Sequence, residues 1–342
     1  MEGPEKLPEK LPGPDRIVGT DEFSEERVQL LFTEIIRNQK IELFEREKTL
    51  EERKIFYAII EKIPDFVKEY GAERIKFLLE DQFHILDGSK QDFEQVQQFL
   101  EDGIGGTYSL DGRIDVLSEN GEYLQIAHRL VHELMHANSF DSFTIKGHSS
   151  ERGNASDIPL TRTVDGHEEK LSLARRRFGL EVFEKGERKL FKYLNEAVTE
   201  ELTRRFCERY FPDINYINEE FEKYRFGNQY VRESNNVTVN GTMEEIQKPS
   251  SLYSYSKERF ILGEFIQELY QNNGDSFESP EEIFKIFSRA MFTGKLLELA
   301  RLIEKRGGKG SFRKMGEVDP DLVLQTIFDF YKKNGLNLKE EL

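Results

Sequence analysis

His132-Glu133-Leu134-Met135-His136 is the segment whose residue types and spacing can do chemistry. On a helix, residues four apart share a face, so His132 and His136 can aim ring nitrogens at one metal ion. Glu133 stands one residue after the first histidine, where its carboxylate can act as general base on a water activated by that metal. The chain holds only 6 histidines in 342 residues. A chance pairing around a glutamate is therefore uncommon.

Two imidazoles leave a catalytic zinc one protein ligand short, because such sites take three and keep a position open for water. In one known extension of this motif a glycine and then a third histidine follow, and here Ser139 and Ser142 occupy those two positions. His148 and His167 lie in polar, aperiodic sequence and read as solvated. Leu194-Asn195-Glu196-Ala197-Val198-Thr199-Glu200 supplies a better candidate. Glu196 and Glu200 are four apart, so both carboxylates face one way. Glu196 can ligate the metal, while Glu200, one turn on, can accept a ring N–H from a ligand histidine and fix its tautomer.

The elements around these residues must position them. Leu124 to His136 has no Gly or Pro and repeats apolar residues every three or four positions, so a helix is expected from about residue 122. His128, four residues before His132, reads as a supporting residue on that helix. A hairpin over 179–193, turning at 184–187, leads into a second helix carrying Glu196. Upstream, the Asp111-Gly112 turn joins two strands, the second over 114–118. The expected first strand covers 74–79, with 83–86 continuing or pairing with it. Helices are expected over 22–54, 55–70, 93–100, 217–224, 257–271, 280–306 and 320–333. The stretches 147–164 and 235–249 read as loops, the first able to cover a cleft.

The combination of His-Glu-x-x-His with Asn-Glu-Ala-x-Thr-Glu resembles the gluzincin zinc metallopeptidases, over roughly residues 74–206. That resemblance implies Zn2+ held by His132, His136 and Glu196, with Glu133 as the general base and acid. It places Glu200 behind the first histidine, one methylene longer than the family's aspartate, and Asn195 behind the second. The interval of 60 positions from His136 to Glu196 then includes an insertion. It also implies an edge strand over the active-site helix that pairs with substrate backbone, placed at Ile114, Asp115 and Val116. A tyrosine outside the two motifs would stabilise the oxyanion. Tyr255, with Arg259 one turn on, is the first choice, ahead of Tyr253 and His148.

The expected fold is therefore α+β, with a zincin-like catalytic domain of a small mixed sheet plus active-site helix over 71–210. A Pro-rich disordered tail (1–20), a helical segment (21–70) and a helical subdomain (211–342) flank it. Net charge is −16, and the short basic clusters Arg175-Arg176-Arg177 and 301–309 read as solvated faces inside helical sequence, which opposes nucleic-acid binding. No apolar run reaches the 18 or so residues of a membrane span. The first residues lack a signal-peptide layout, and the single cysteine, Cys207, reads as buried and inert. A cytoplasmic compartment is expected, with a peptide or protein as substrate, no nucleic acid and no membrane. The alternative is a zincin-like module that binds zinc in a regulatory role without turnover.

Overall fold

A computed structural model describes residues 15–18, 45–87, 105–109, 112–118, 122–147, 158–164, 167–184, 188–227, 252–273 and 276–317. Strand β1 (Arg16–Val18) pairs in parallel with β6 (Asp141–Gly147), so this part of the expected disordered tail is ordered. The short strand β2 (Glu45–Arg46) leads into helix α1 (Leu50–Glu69). Thr49 caps α1: its hydroxyl accepts the Glu52 N–H, and the Glu52 carboxylate accepts the Thr49 N–H. Arg46 adds a bidentate pair to the same carboxylate. This box starts the helix five residues before its apolar stripe begins, which is why the expected boundary at 55 fell inside it.

The expected strand over 74–79 does not form. Side chains take its backbone donors instead, with Asn138 Oδ1 accepting from Lys76 N and Gln82 Oε1 from Leu79 N. Pairing begins only at β3 (Phe83–Asp87). The first sheet runs β2-β3-β5-β4, where β4 is Gly106–Tyr108 and β5 is Ile114–Ser118. β3 and β5 are parallel, and β4 and β5 form the hairpin. All five residues of β5 are buried. Helix α2 (Tyr123–Asn138) packs against this sheet and α1, burying Leu124, Ile126, Leu130, Val131 and Leu134.

The second sheet runs β1-β6-β8-β9-β10, with β7 also on β8. Its strands are β7 (Ile158–Val164), β8 (His167–Phe178), β9 (Glu181–Phe183) and β10 (Lys189–Leu190). The expected loop over 147–164 thus ends in a strand. Arg175, Arg176 and Arg177, read from sequence as a helical cluster, lie on β8. A register shift falls between Ser142 and Phe143 of β6, which pair with Arg177 and Arg175, and Arg176 is the extra residue.

The described residues after β10 are mainly helical: α3 (Lys192–Tyr210), α4 (Asn218–Gly227), α5 (Ser256–Asn273), α6 (Pro280–Thr293), α7 (Leu296–Gly307) and α8 (Ser311–Gly316). The single helix expected over 280–306 is broken at Gly294. That residue is left-handed (φ 71°), and a Cβ there would meet the Phe140 ring at 2.6 Å. One buried cluster joins α1, both sheets, α2, α3 and the later helices. Its centre is aromatic, with Phe66 edge-on to Phe206 and Phe211 edge-on to Phe221. The architecture is α+β. No helix among the described residues is long and apolar enough to cross a membrane. The expected elements at 22–44, 93–100, 235–249 and 320–333 lie outside the described residues.

Candidate metal centre

α2 and α3 lie side by side in the core. The four-residue spacing stacks His128, His132 and His136 on one face of α2, and Glu196 and Glu200 on the facing side of α3. Three donors converge: His136 Nε2 lies 3.1 Å from His132 Nε2 and 3.2 Å from Glu196 Oε2. His132 Nε2 lies 3.5 Å from the same Glu196 oxygen. Tetrahedral bonds of about 2.0–2.1 Å to zinc imply donor–donor edges of about 3.3–3.4 Å. The triangle matches that size, and His132, His136 and Glu196 can hold a metal ion.

Electrostatics point the same way. Burial works against ionising Glu196 and Glu200, yet the facing imidazoles hold both carboxyls well below the usual range. Burial pulls the His132 imidazole down, but Glu196 and Glu200 outweigh it and hold it well above its ordinary value. Burial raises the Glu133 carboxyl. Glu133, Glu196 and Glu200 lie among the imidazoles of His128, His132 and His136, and a divalent cation can offset their charge in place of protons on the rings.

Glu200 organises the surroundings. Fully buried, it is an acceptor only when ionised, so each nitrogen it meets must carry the proton. His132 Nδ1 donates to Oε2 at 2.6 Å, which leaves the lone pair of Nε2 for a metal. His128 Nε2 donates to Oε1 at 2.9 Å, and Ser254 N donates to the same oxygen at 2.7 Å. One carboxylate therefore serves two histidines and a loop, which uses the reach of glutamate where aspartate is shorter. Tyr253 packs edge-on against His128, and Tyr255 lies parallel to the His132 ring at 6.0 Å between centroids. Tyr255 holds a left-handed backbone (φ 54°).

Asn195 does not reach His136. Its Oδ1 accepts from Leu180 N at 2.9 Å and holds the β8–β9 turn against α3. His136 Nδ1 is buried without a hydrogen-bond partner among the described residues. Phe178 stacks on the His136 ring at 5.2 Å instead. Arg259 also turns elsewhere: it bonds Glu201, which Arg204 and Arg205 share.

The expected edge strand needs correcting. Ile114, Asp115 and Val116 pair with β3 on one side and β4 on the other, so neither edge of β5 is open to a peptide. Asp115 faces Arg113 at 3.4 Å. The outer strand of the sheet is β4. Gly105 and Ser109 bond back to β5, so Gly106 and Tyr108 turn their backbone groups to the other side. There the Tyr108 N–H donates to the Glu133 carboxylate. A Cβ on Gly106 would come 2.9 Å from Glu133 Oε1, so the glycine makes room for this approach.

His132, Glu133, His136, Glu196, Glu200 and Tyr255 are thus brought together, and the one thiol, Cys207, is buried in the core. His148 lies outside the described residues, and His167 opens β8 away from the motif helices in sequence. Gly106, Phe178 and the double role of Glu200 escaped sequence reasoning. Only His128, at the same four-residue period as the motif, carried a readable signal. Neither family models, nor curated proteins, nor solved structures yield a match to this chain.

Proposed function

We propose that the protein is a zinc-dependent peptide hydrolase of the gluzincin type, built on a zincin-like arrangement. The observation that carries this reading is the three-donor triangle, with its 3.1–3.5 Å edges, on the same helix turn as a buried glutamate. Two imidazoles and one carboxylate are a donor set that suits zinc and leaves a position for substrate or water. When bound, the metal supplies Lewis acidity and lowers the pKa of water toward about 7.

Glu133 is the proton carrier. Burial lifts its carboxyl above the ordinary carboxylate value, the direction that strengthens a base. It takes the proton of the attacking water and passes it to the leaving amine. The Tyr108 N–H fixes its aim. An extended peptide adds along the outer side of β4 through the Gly106 backbone, beside the Tyr108 N–H that Glu133 occupies. Tyr255, beside His132, is the donor for the oxyanion. The lone buried thiol and the acidic surface suit a reducing, cytoplasmic compartment.

Glu133→Gln tests the reading. Zinc should remain at one equivalent by metal analysis while digestion of casein or a peptide library disappears. A chelator should abolish digestion by the unsubstituted protein. Turnover that survives in Glu133→Gln overturns the assigned base, and full zinc content in Glu196→Ala overturns the ligand set. Zinc bound with no turnover by the unsubstituted protein would make it a zinc-binding module.

A further inference from the structure

The face of the second sheet that meets the metal centre carries a buried carboxylate with no part in the proposed mechanism. Phe178 and Glu181 are direct cross-strand partners, so their side chains share a face. Phe178 stacks on His136, which points that face at the cluster. Asp141 pairs with Phe178 from the other side. The register shift at Arg176 brings Arg175 onto the same face, where its guanidinium lies 4.2 Å from the Phe178 ring centroid. Arg175 is already committed, in a bidentate pair to Asp141 at 3.0 and 2.8 Å.

Glu181 is not committed in this way. It is 6% exposed, and its Oε1 is buried without a hydrogen-bond partner among the described residues. Lys189, 39% exposed, stands at 3.9 Å, the outer limit of an ion pair. A buried carboxylate oxygen without a donor is costly, and a cationic donor offsets that cost best. Resting on the hydrolase reading, we infer that Glu181 is a specificity-determining residue that receives a cationic nitrogen of the substrate beside the metal. That nitrogen is the peptide's terminal ammonium or a lysine or arginine side chain.

The test uses zinc-loaded full-length Glu133→Gln, which binds without turnover, and four peptides labelled at the carboxyl terminus. One has a free terminal ammonium. The other three are acetylated and carry arginine, norleucine or glutamate at the varied position. Fluorescence polarisation should show a cationic peptide binding about tenfold or more tighter than the norleucine peptide, with glutamate weakest. Which cationic peptide gains identifies the source of the nitrogen. Adding Glu181→Gln should remove the gain with zinc content unchanged.

Equal binding of the cationic and norleucine peptides overturns the inference, even if Glu181→Gln fails to fold. A gain that persists in Glu181→Gln overturns it as well. Turnover by the unsubstituted protein separates the two readings. Cleavage without cation preference sinks this inference and leaves the hydrolase standing. Glu181-dependent binding without cleavage leaves the inference and sinks the hydrolase.

Discussion

Shortening Glu200 by one methylene is the sharpest perturbation of the centre. Its carboxylate accepts from His132 at 2.6 Å, Ser254 at 2.7 Å and His128 at 2.9 Å, and the residue is fully buried. Glu200→Asp withdraws the group by about 1.5 Å, one carbon–carbon bond. A retracted carboxylate can swing to keep one of these donors, but the other two move beyond bonding distance. Each buried donor left without a partner costs about 1–3 kcal/mol. Because the losses share one network, roughly 2–4 kcal/mol in all is expected for Asp. Glu200→Ala strands all three donors, at roughly 3–6 kcal/mol. Against a typical total stability of about 5–15 kcal/mol, either change is large.

Freeing the His132 ring also lets its tautomer and orientation drift, which should weaken zinc affinity about 10–100-fold. Urea unfolding of the apo protein reads the stability term. Chelator competition on the folded protein reads the affinity term. Glu200→Asp with the unfolding midpoint and zinc affinity of the unsubstituted protein would refute the view that one carboxylate ties two helices and the 252–255 loop together.

Glu201 predicts an acid response. Burial opposes its ionisation, but Arg204, Arg259 and Arg205 hold it well below the usual range. A carboxyl depressed in the folded state stabilises above its unfolded value of about 4.5, and that contribution is lost as pH falls below it. The stability gap between the unsubstituted protein and Glu201→Gln, measured by urea unfolding with chelator present, should be full at pH 7 and shrink below about pH 4.5. A gap independent of pH contradicts the arginine pairing. Gly106→Val should push the Glu133 carboxylate off the Tyr108 N–H and cost roughly a hundredfold in kcat/KM, with zinc retained. Unchanged kinetics would mean Glu133 needs no anchoring by β4. Tyr255→Phe should lower kcat by about a hundredfold with little change in KM; an unaltered kcat removes Tyr255 from the chemistry.

Sequence reading found what period alone determines. Period put His132 and His136 on one helix face and Glu196 and Glu200 on another, and the resemblance to the gluzincins joined the two segments. Residues fixed by partners distant in the chain were not legible. Ile114 to Ser118 alternates like an edge strand, yet parallel pairing with β3 covers it, and nothing local announces a parallel neighbour. Arg74 to Leu79 has the composition of a strand, but Asn138 and Gln82 take its donors. Arg175 to Arg177 looks like a helical basic face until β6 claims it. Asn195 was assigned to His136 by resemblance, whereas the turn at Leu180 holds it. Glu181 is one of many acidic residues, and only its cross-strand partner sets it apart.

The spacing of the centre within the chain has a mechanical consequence. Sixty positions separate His136 from Glu196, and the β6–β10 strands lie wholly inside that interval. A cation shared by the two side chains is therefore a removable staple across a long loop, and closing such a loop costs chain entropy that grows only slowly with length. On the proposed reading, metal occupancy should therefore affect how tightly the β6–β10 strands stay sewn to the helices, well beyond the atoms an ion would touch.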